Sequence, residues 1–259
     1  MFMYMIYFLI FMLSCMLGAV VGLGGGVIIR PILDAIGFHG VLDIAFLTSS
    51  SILVMAVVST AKKVKDGTKI EFKTAAFISV GALVGGVIGN LFLEHLVRFF
   101  DAESTVQMIQ AILNIIVLAL AIYFTSSDRF RYRLKSPVLY PFLGVILGVS
   151  AIILGISGGP VNVPVFMVLF SMPAKQATAY SIVIVFFSHS FRLVTMAFTE
   201  GLAAFDISYL LFIIPAAVAG GILGSLISKR LSDNTVTKAF NLTMAGLILL
   251  NLFNSVVFL

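Results

Sequence analysis

The sequence of 259 residues is poor in the groups that carry solubility and enzyme chemistry. Charged residues make up 10% of it, whereas soluble domains usually carry about 25%. The single cysteine, Cys15, excludes a disulfide within the chain and gives no indication of redox chemistry. The three histidines are scattered, and the HExxH motif of zinc proteases is absent. We therefore predict a protein that is not an enzyme and has neither a cofactor nor a metal site.

Apolar residues, by contrast, make up 61% of the chain, and the mean hydropathy is +1.17. They form continuous runs that can cross hydrocarbon about 30 Å thick. Backbone in lipid must satisfy its own hydrogen bonds, and the absence of alternation excludes a closed barrel. We predict an all-α integral membrane protein, a polytopic helical bundle in the plasma membrane, and expect a bacterial inner membrane. The stretch 1–21 lacks the charged start and the cleavage site of a signal peptide, so we interpret it as retained structure.

Two of the apolar segments are too long for a single crossing. The segments cover residues 2–36, 42–60, 74–98, 105–124, 138–170, 174–198, 205–228 and 236–258. As straight helices, 2–36 and 138–170 would each measure about 50 Å, and tilting absorbs only part of that excess. A Gly-rich stretch interrupts each of them. We predict that each is a broken helix or a re-entrant hairpin.

The basic residues orient the segments. The net charge of +5 lies in short connections, where Lys and Arg favour the cytoplasmic side, so we expect no nucleic-acid partner. The connections 61–73, 125–137 and 229–238 are rich in Lys or Arg, whereas 199–206 carries only acidic charges. These charges fit best if 138–170 dips into the membrane and returns to the same side. The two halves of the chain would then have inverted topology, which is common among secondary transporters.

An internal repeat supports the same division into halves. The stretch Gly22–Pro31 (GLGGGVIIRP) recurs as Gly155–Pro164 (GISGGPVNVP). Two further matches keep the register: Ala45–Ser49 with Ala177–Ser181, and Gly85, Gly86 and Gly89 with Gly220, Gly221 and Gly224. Three matches in the same order indicate a duplication. We predict a first repeat over 1–127, a cytoplasmic linker over 128–137 and a second repeat over 138–259, each with one hairpin and three helices.

With these residues the chain resembles the TauE/SafE family of membrane transporters. The resemblance rests on GxGGGxxxxP in the first segment and GxSGGxxxxP after the midpoint, and it covers nearly the whole chain. It implies the export of a small sulfur-containing anion, sulfite or an organosulfonate, and is less informative about which one. The second motif departs from the first at Ser157, which replaces a glycine, and at Pro160, so the two breaks need not contribute equally.

The Gly-rich breaks offer a way to bind an anion without a charged side chain. Glycine permits a positive φ, and Pro160 prevents a continuous helix at the second break. N–H groups freed at the start of a half-helix attract anions. The alternative is that glycines only let helices pack closely. We favour a site for the motif glycines, and packing for Gly85, Gly86, Gly89, Gly220, Gly221 and Gly224.

Three charged or titratable side chains could assist the breaks. Arg30 lies in the first long segment and can bind two oxygens of an oxyanion; alternatively, it pairs with Asp34 one turn later. His189 and Arg192 are three residues apart and share a helix face with Ser181. His189 is the candidate for proton coupling. The alternative is a pair at the membrane interface, with Arg192 extending to water.

Polar side chains near the breaks complete the candidate site. Thr48, Ser49, Ser50 and Ser51 open the helix that matches the one containing Ser181, and their hydroxyls could bind an oxyanion or bond back to the helix. The candidate substrate-binding residues are Gly24, Gly25, Gly26, Arg30, Ser49, Ser157, Gly158, Gly159, Asn162, Ser181 and Arg192.

These observations predict a secondary transporter that exports a small sulfur-containing anion by alternating access. A passive anion channel of the same architecture is the alternative, and a membrane scaffold would leave the duplicated breaks unexplained. The expected partners are the anion, the lipid bilayer and, if transport is coupled, protons. A second copy of the chain, in a homo-oligomer, is a further candidate partner.

Overall fold

The structure of the protein, a computed structural model, describes residues 2–100, 103–127, 131–134, 138–154, 158–201 and 205–257. The regular structure of these residues is helical. Its α-helices are α1 Phe2–Val21, α2 Gly26–Ile36, α3 Val41–Lys65, α4 Phe72–Phe100, α5 Glu103–Ser126, α6 Leu139–Ile153, α7 Gly159–Leu169, α8 Ala174–Thr199, α9 Leu210–Arg230 and α10 Asp233–Val257. A 3-10 turn at Ile207–Tyr209 precedes α9.

Seven helices among the described residues are long and apolar enough to cross a membrane. They are α1, α3, α4, α5, α8, α9 and α10. The prediction of an all-α polytopic membrane protein is confirmed. The remaining three are shorter, with 11 residues in α2, 15 in α6 and 11 in α7.

Both overlong segments are broken helices, as predicted. Segment 2–36 divides into α1 and α2, and segment 138–170 divides into α6 and α7. Three glycines with positive φ end the first helix: Gly22 (81°), Gly24 (82°) and Gly25 (79°). Because other residues rarely adopt this conformation, the glycines stop α1 and let the chain turn. Pro160 in the first turn of α7 has no N–H to donate back to the preceding chain.

The helices form two compact units, each built from two stretches of the chain. Unit 1 contains Met1–Ile70 and Thr178–Ser232, and unit 2 contains Glu71–Ala177 and Asp233–Leu259. The predicted division into 1–127 and 138–259 describes a repeat of sequence, which is a different property from compactness. The division into repeats therefore stays a prediction.

Within unit 1, α1 and α9 run parallel in close contact. Near their starts, the rings of Tyr7 and Tyr209 are 5.2 Å apart. Further along, a Cβ atom on Gly220 would collide with the carbonyl oxygen of Met12. Glycine at this position thus lets the two backbones touch. The packing role predicted for Gly220 is confirmed.

Helix α2 turns back along α1. A Cβ atom on Gly25, just before α2, would lie 2.9 Å from the carbonyl oxygen of Ser14 in α1. After α2 ends, the ring of His39 lies 5.5 Å from the ring of Tyr7, near the start of α1. The two helices are therefore antiparallel, and the chain returns to the end of unit 1 where α1 begins.

Helices α3 and α8 of unit 1 are also antiparallel. Lys63, near the end of α3, contacts Thr178, near the start of α8. Ser49, near the start of α3, contacts His189 in the second half of α8. The C-terminal ends of α3 and α8 therefore lie at opposite ends of unit 1.

Two contacts define these ends of unit 1. At one end, Lys229 pairs with Asp66, the residue after α3, with 2.8 Å between Nζ and Oδ1. At the other end, Phe205 stacks on Phe46 with ring centres 4.4 Å apart. Inverted halves require the connections after α3 and after α8 to face opposite sides of the membrane. The inversion itself stays a prediction.

In unit 2, α4 and α6 are interlocked through glycines. A Cβ atom on Gly81 would collide with the backbone of Pro141, and one on Gly85 with that of Val145. The two helices therefore run parallel with touching backbones, and the packing role predicted for Gly85 is confirmed. Elsewhere in unit 2, Thr125 of α5 donates to Asn241 of α10 across 2.6 Å.

Candidate functional site

Break 1, the segment between α1 and α2, contains backbone N–H groups that have no acceptor among the described residues. Four N–H groups of this region donate to backbone carbonyl groups: those of Gly22, Leu23, Ile28 and Ile29. Among the hydrogen bonds of the described residues, none has as its donor an N–H group of Gly24, Gly25, Gly26 or Val27. These four groups lie at the N-terminus of α2, where the helix dipole favours negative charge.

Two glycines of break 1 also have no room for a side chain. Gly25 has a φ of 79° and sits against the carbonyl oxygen of Ser14. A Cβ atom on Gly26 would lie 2.6 Å from Cδ1 of Ile52 in α3. The predicted break thus depends on glycine for both its conformation and its packing.

Thr48 of α3 adds a hydroxyl group at the start of α2. Its methyl carbon lies 3.1 Å from the position that a Cβ atom of Gly26 would take. Thr48 is 8% exposed, and its Oγ1 has no hydrogen-bond partner among the described residues. A buried hydroxyl without a partner is unfavourable by about 1–3 kcal/mol, so a ligand that accepts its hydrogen bond would be stabilised here.

The four hydroxyl residues of α3 lie at Thr48–Ser51, and α3 begins earlier, at Val41. The prediction that they open the helix is therefore wrong, because the apolar residues before Thr48 extend the helix. Ser51 donates back to the carbonyl oxygen of Thr48 across 2.8 Å, which is the alternative foreseen for this group.

Ser181 of α8 binds break 1 directly. Its Oγ donates to the carbonyl oxygen of Gly22 across 2.7 Å, and the serine is fully buried. This bond satisfies one of the carbonyl groups that the end of α1 leaves without a helical partner. The predicted residue Ser181 therefore lies at the break, held against its backbone.

His189 and Ser49 form a second buried contact in unit 1. Nδ1 of His189 lies 3.1 Å from Oγ of Ser49, and the two residues are 8% and 0% exposed. Arg192 is close enough to His189 for their charges to interact, and Arg30 is likewise close enough to Arg192. Four of the predicted residues therefore interact in sequence along this part of unit 1: Ser49 with His189, His189 with Arg192, and Arg192 with Arg30.

The environment of Arg30 agrees with the alternative foreseen for it. Its Nε lies 3.8 Å from Oδ2 of Asp34, one turn later on α2, and both side chains are half-exposed. An exposed pair of this kind contributes little stability, about 0–1 kcal/mol. Arg30 therefore remains available to attract an anion from its surroundings.

Break 2, between α6 and α7 in unit 2, has its carbonyl groups capped by α5. Gln110 donates to the carbonyl oxygen of Ile153 across 2.9 Å, and Asn114 donates to that of Leu154 across 2.7 Å. These bonds satisfy the last carbonyl groups of α6, which membrane-buried backbone requires. Gln110 and Asn114 were not predicted. Their spacing of four residues in an apolar helix is the sequence signal that could have found them.

The start of α7 carries the predicted residue Asn162. Its side chain lies over Gly158, with Nδ2 3.2 Å from the position that a Cβ atom of Gly158 would take, and it is 2% exposed. Gly159 is the first residue of α7. Ser157 lies outside the described residues. The letters of 155–159 also fit the GxSxG pattern of serine hydrolases, but that serine follows a β-strand, whereas the helix α6 precedes break 2.

A polar cavity of about 250 Å³ lies at the end of unit 1 where α3 and α9 begin. It is lined by Phe38, His39, Asp43, Phe46, Leu47, Asp206 and Tyr209. Hydrogen bonds from Ser208 lower the pKa of Asp206, and the nearby charge of His39 lowers it further. No sequence pattern associates these residues, because the fold brings them together from distant positions.

Lys63 is the functional candidate that sequence reasoning missed. It was counted with the charges of the connection 61–73, which is wrong, because α3 continues to Lys65. Lys63 is 5% exposed, and its Nζ lies 3.3 Å from Oγ1 of Thr178 and 3.4 Å from Oγ of Ser228. The available signal was its spacing of four residues from Ser59, which faces α9 through a bond to Gly221.

Comparison with known proteins identifies the family. The family model described as "Sulfite exporter TauE/SafE" matches residues 7–251. The chain belongs to the TauE/SafE family. The resemblance inferred from the two Gly-rich motifs is confirmed, and this TauE/SafE protein is a multi-pass membrane transporter.

Two relatives of this TauE/SafE protein carry similar descriptions. The "Probable membrane transporter protein YunE" of Bacillus subtilis is 24% identical over 250 residues, which cover 88% of this chain and 89% of the relative. The "Probable membrane transporter protein MJ0441" of Methanocaldococcus jannaschii is 28% identical over 176 residues, covering 64% of this chain and 62% of the relative. No solved structure matches the chain.

Proposed function

We propose that this TauE/SafE protein exports a small sulfur-containing anion, sulfite or an organosulfonate, across the plasma membrane by alternating access, with break 1 as the anion site. The observation that carries the proposal is a group of four N–H groups at the start of α2 that donate to no acceptor among the described residues. They lie beside the buried hydroxyl of Thr48, which has no partner among these residues either. Backbone donors and the helix dipole suit an oxyanion, because they need no buried counter-charge.

The charges around break 1 favour the same class of ligand. Arg30 lies one turn into α2, and Arg192 lies close enough to interact with it. Two guanidinium groups that repel each other are both stabilised when an anion lies between or beside them. Broken helices whose N-termini point at anionic groups are typical of secondary transporters.

The membrane potential supports export as the direction. An inside-negative potential favours the outward movement of an anion by about 2.3 kcal/mol per charge per 100 mV. Proton coupling is therefore not required. If transport is coupled to protons, we propose His189 as the residue that carries the proton. It is buried and titratable, and it contacts Ser49 of α3 within unit 1.

Anion flux in proteoliposomes tests the proposal. Sulfite, sulfoacetate, thiosulfate and sulfate would be compared, each with and without a pH gradient. We expect saturable flux of sulfite or sulfoacetate that is stimulated by the same anion on the opposite side. Flux that rises linearly with concentration would indicate a passive channel, and the absence of flux for all four anions would reject the substrate class.

Matched variants then test the site. Thr48→Val keeps the shape of the side chain and removes the hydroxyl, so we expect the KM for the transported anion to rise by about tenfold. Thr60→Val, on the same helix but outside the proposed site, is the control. Equal effects of the two variants would remove Thr48 from the site. His189→Gln should abolish any stimulation by a pH gradient; an unchanged stimulation would exclude His189 from coupling.

A further inference from the structure

The ammonium group of Lys63, near the end of the membrane helix α3, points toward the neighbouring helices α8 and α9. Lysines near helix ends usually extend toward water, and its neighbour Lys65 is exposed in this way. Lys63 instead lies between α3, α8 and α9, with hydroxyl groups from two of these helices within 3.4 Å of its Nζ. Side chains from three helices therefore converge on one buried positive group.

The hydroxyl groups around Lys63 can serve an anion as donors. The oxygen of Ser228 accepts from the ammonium group, which leaves the hydrogen of the hydroxyl to be donated elsewhere. Ser225 lies on the same face of α9, three residues earlier, and is 2% exposed. The Oγ of Ser225 has no hydrogen-bond partner among the described residues. The face of α9 that contacts the buried ammonium group of Lys63 through Ser228 therefore carries a second buried hydroxyl, that of Ser225.

Asp66, three residues after Lys63 in the sequence, pairs with Lys229. Oδ1 of Asp66 lies 2.8 Å from Nζ of Lys229. The hydrogen bond from Lys229 lowers the pKa of Asp66, and the charges of Lys62 and Lys65 contribute to the same effect. Asp66 therefore interacts with Lys62, Lys65 and Lys229 at this end of unit 1.

The hydroxyl cluster continues toward break 1. Thr178, which contacts Lys63, is three residues before Ser181 on the same face of α8. That spacing corresponds to about 4.5 Å along the helix axis. Ser181 in turn donates to Gly22 in break 1. A line of buried polar groups therefore connects Lys63 with the proposed anion site.

We infer that Lys63, Thr178, Ser225 and Ser228 form a second binding site for a small sulfur oxyanion, through which the anion passes between the lysine-rich end of unit 1 and break 1. This inference rests on the proposed function and deepens it. The ammonium group supplies the charge, and the hydroxyl groups replace part of the hydration shell of the anion. The positive-inside trend predicts that this end is cytoplasmic, which is the side from which an exported anion must bind.

Sulfite binding and sulfite flux together test the inference. Equilibrium dialysis of the detergent-purified protein with radiolabelled sulfite should detect two sites per chain. Lys63→Gln should remove one of them and raise the KM for sulfite flux by about tenfold or more, since hydrogen bonds to charged groups are strong. Lys62→Gln removes an equal charge from the same turn of α3 and should change both values by less than about twofold.

Two further variants separate binding from folding. Lys63→Arg keeps the charge and should retain more of the binding than Lys63→Gln, whereas a purely structural role would make both variants lose thermal stability without losing a site. Thr48→Val should remove the other binding event and leave the one at Lys63. Equal effects of Lys63→Gln and Lys62→Gln on binding would overturn the second site while leaving transport intact. Binding at Lys63 without flux of any anion would instead reject the proposed function and retain the site.

Discussion

Ser181 donates a hydrogen bond of 2.7 Å to the carbonyl oxygen of Gly22, joining the middle of α8 to the end of α1. The two residues are 159 positions apart in the sequence. This bond lets α1 end inside the membrane protein without leaving that carbonyl group unsatisfied. It also makes the position of break 1 dependent on α8, which carries His189 and Arg192 further along.

Replacing Ser181 by Ala should therefore destabilise the protein. The carbonyl group of Gly22 would remain buried without a partner, which is unfavourable by about 1–3 kcal/mol. We expect a clearly lower Tm in detergent and slower anion flux. Ser190→Ala is the matched control, since the hydroxyl of Ser190 donates to the carbonyl oxygen of Phe186 within its own helix. Similar losses of Tm for both variants would contradict the role of the Gly22 contact.

The sequence predicted the helical membrane fold and both breaks because these depend on local properties. Apolar length and the glycines of Gly22–Gly26 act over a few residues, so a single sequence reveals them. The contacts that satisfy the breaks depend on the packing of distant helices. Ser181 was predicted as a ligand of the anion, yet nothing in its own neighbourhood indicated that it would bind Gly22.

Lys63 shows why charges in short connections were harder to interpret. The positive-inside rule treats Lys62, Lys63 and Lys65 as equivalent, because it counts charge near a helix end. The helical periodicity distinguishes them: Lys63 follows Ser59 by four residues and faces the neighbouring helices, while Lys65 faces outward. The sequence analysis ended this apolar segment at residue 60, whereas α3 continues to Lys65. Lys63 was therefore assigned to a connection and not to a helix.

Gly25 should tolerate alanine much less well than a glycine of similar conformation elsewhere. Gly25 has a φ of 79° and lies against the carbonyl oxygen of Ser14, whereas Gly67 has a φ of 89° and nothing within 4 Å of its Cβ position. Both substitutions to Ala strain the backbone, by about 1–2 kcal/mol. Only Gly25→Ala adds a collision, so we expect the larger loss of Tm for it. Equal losses would show that conformation alone requires glycine in break 1.

The ion pair of Asp66 and Lys229 should make stability depend on pH in the acidic range. Lys229 lowers the pKa of Asp66 in the folded protein, so folding favours the charged carboxylate. The contribution is complete above the pKa of the unfolded chain, about 3.9, and is lost as the pH falls through the lower folded value. At pH 6, Asp66→Asn should therefore lower the Tm, and the difference from wild type should shrink as the pH falls below about 3.9. A difference that persists unchanged at pH 3 would exclude this pair as its cause.

Labelling of single cysteines tests the inverted arrangement of the two halves. Cys15 is buried and is the only native cysteine, so replacing it by Ala gives a background without reactive thiols. Thr68→Cys reports on the connection after α3, and Glu200→Cys reports on the end of α8 at the opposite end of unit 1. A membrane-impermeant maleimide added to intact spheroplasts should label position 200 at once and position 68 only after the membrane is permeabilised. Labelling of both positions from the same side would contradict the inversion, because unit 1 would then not cross the membrane between its two ends.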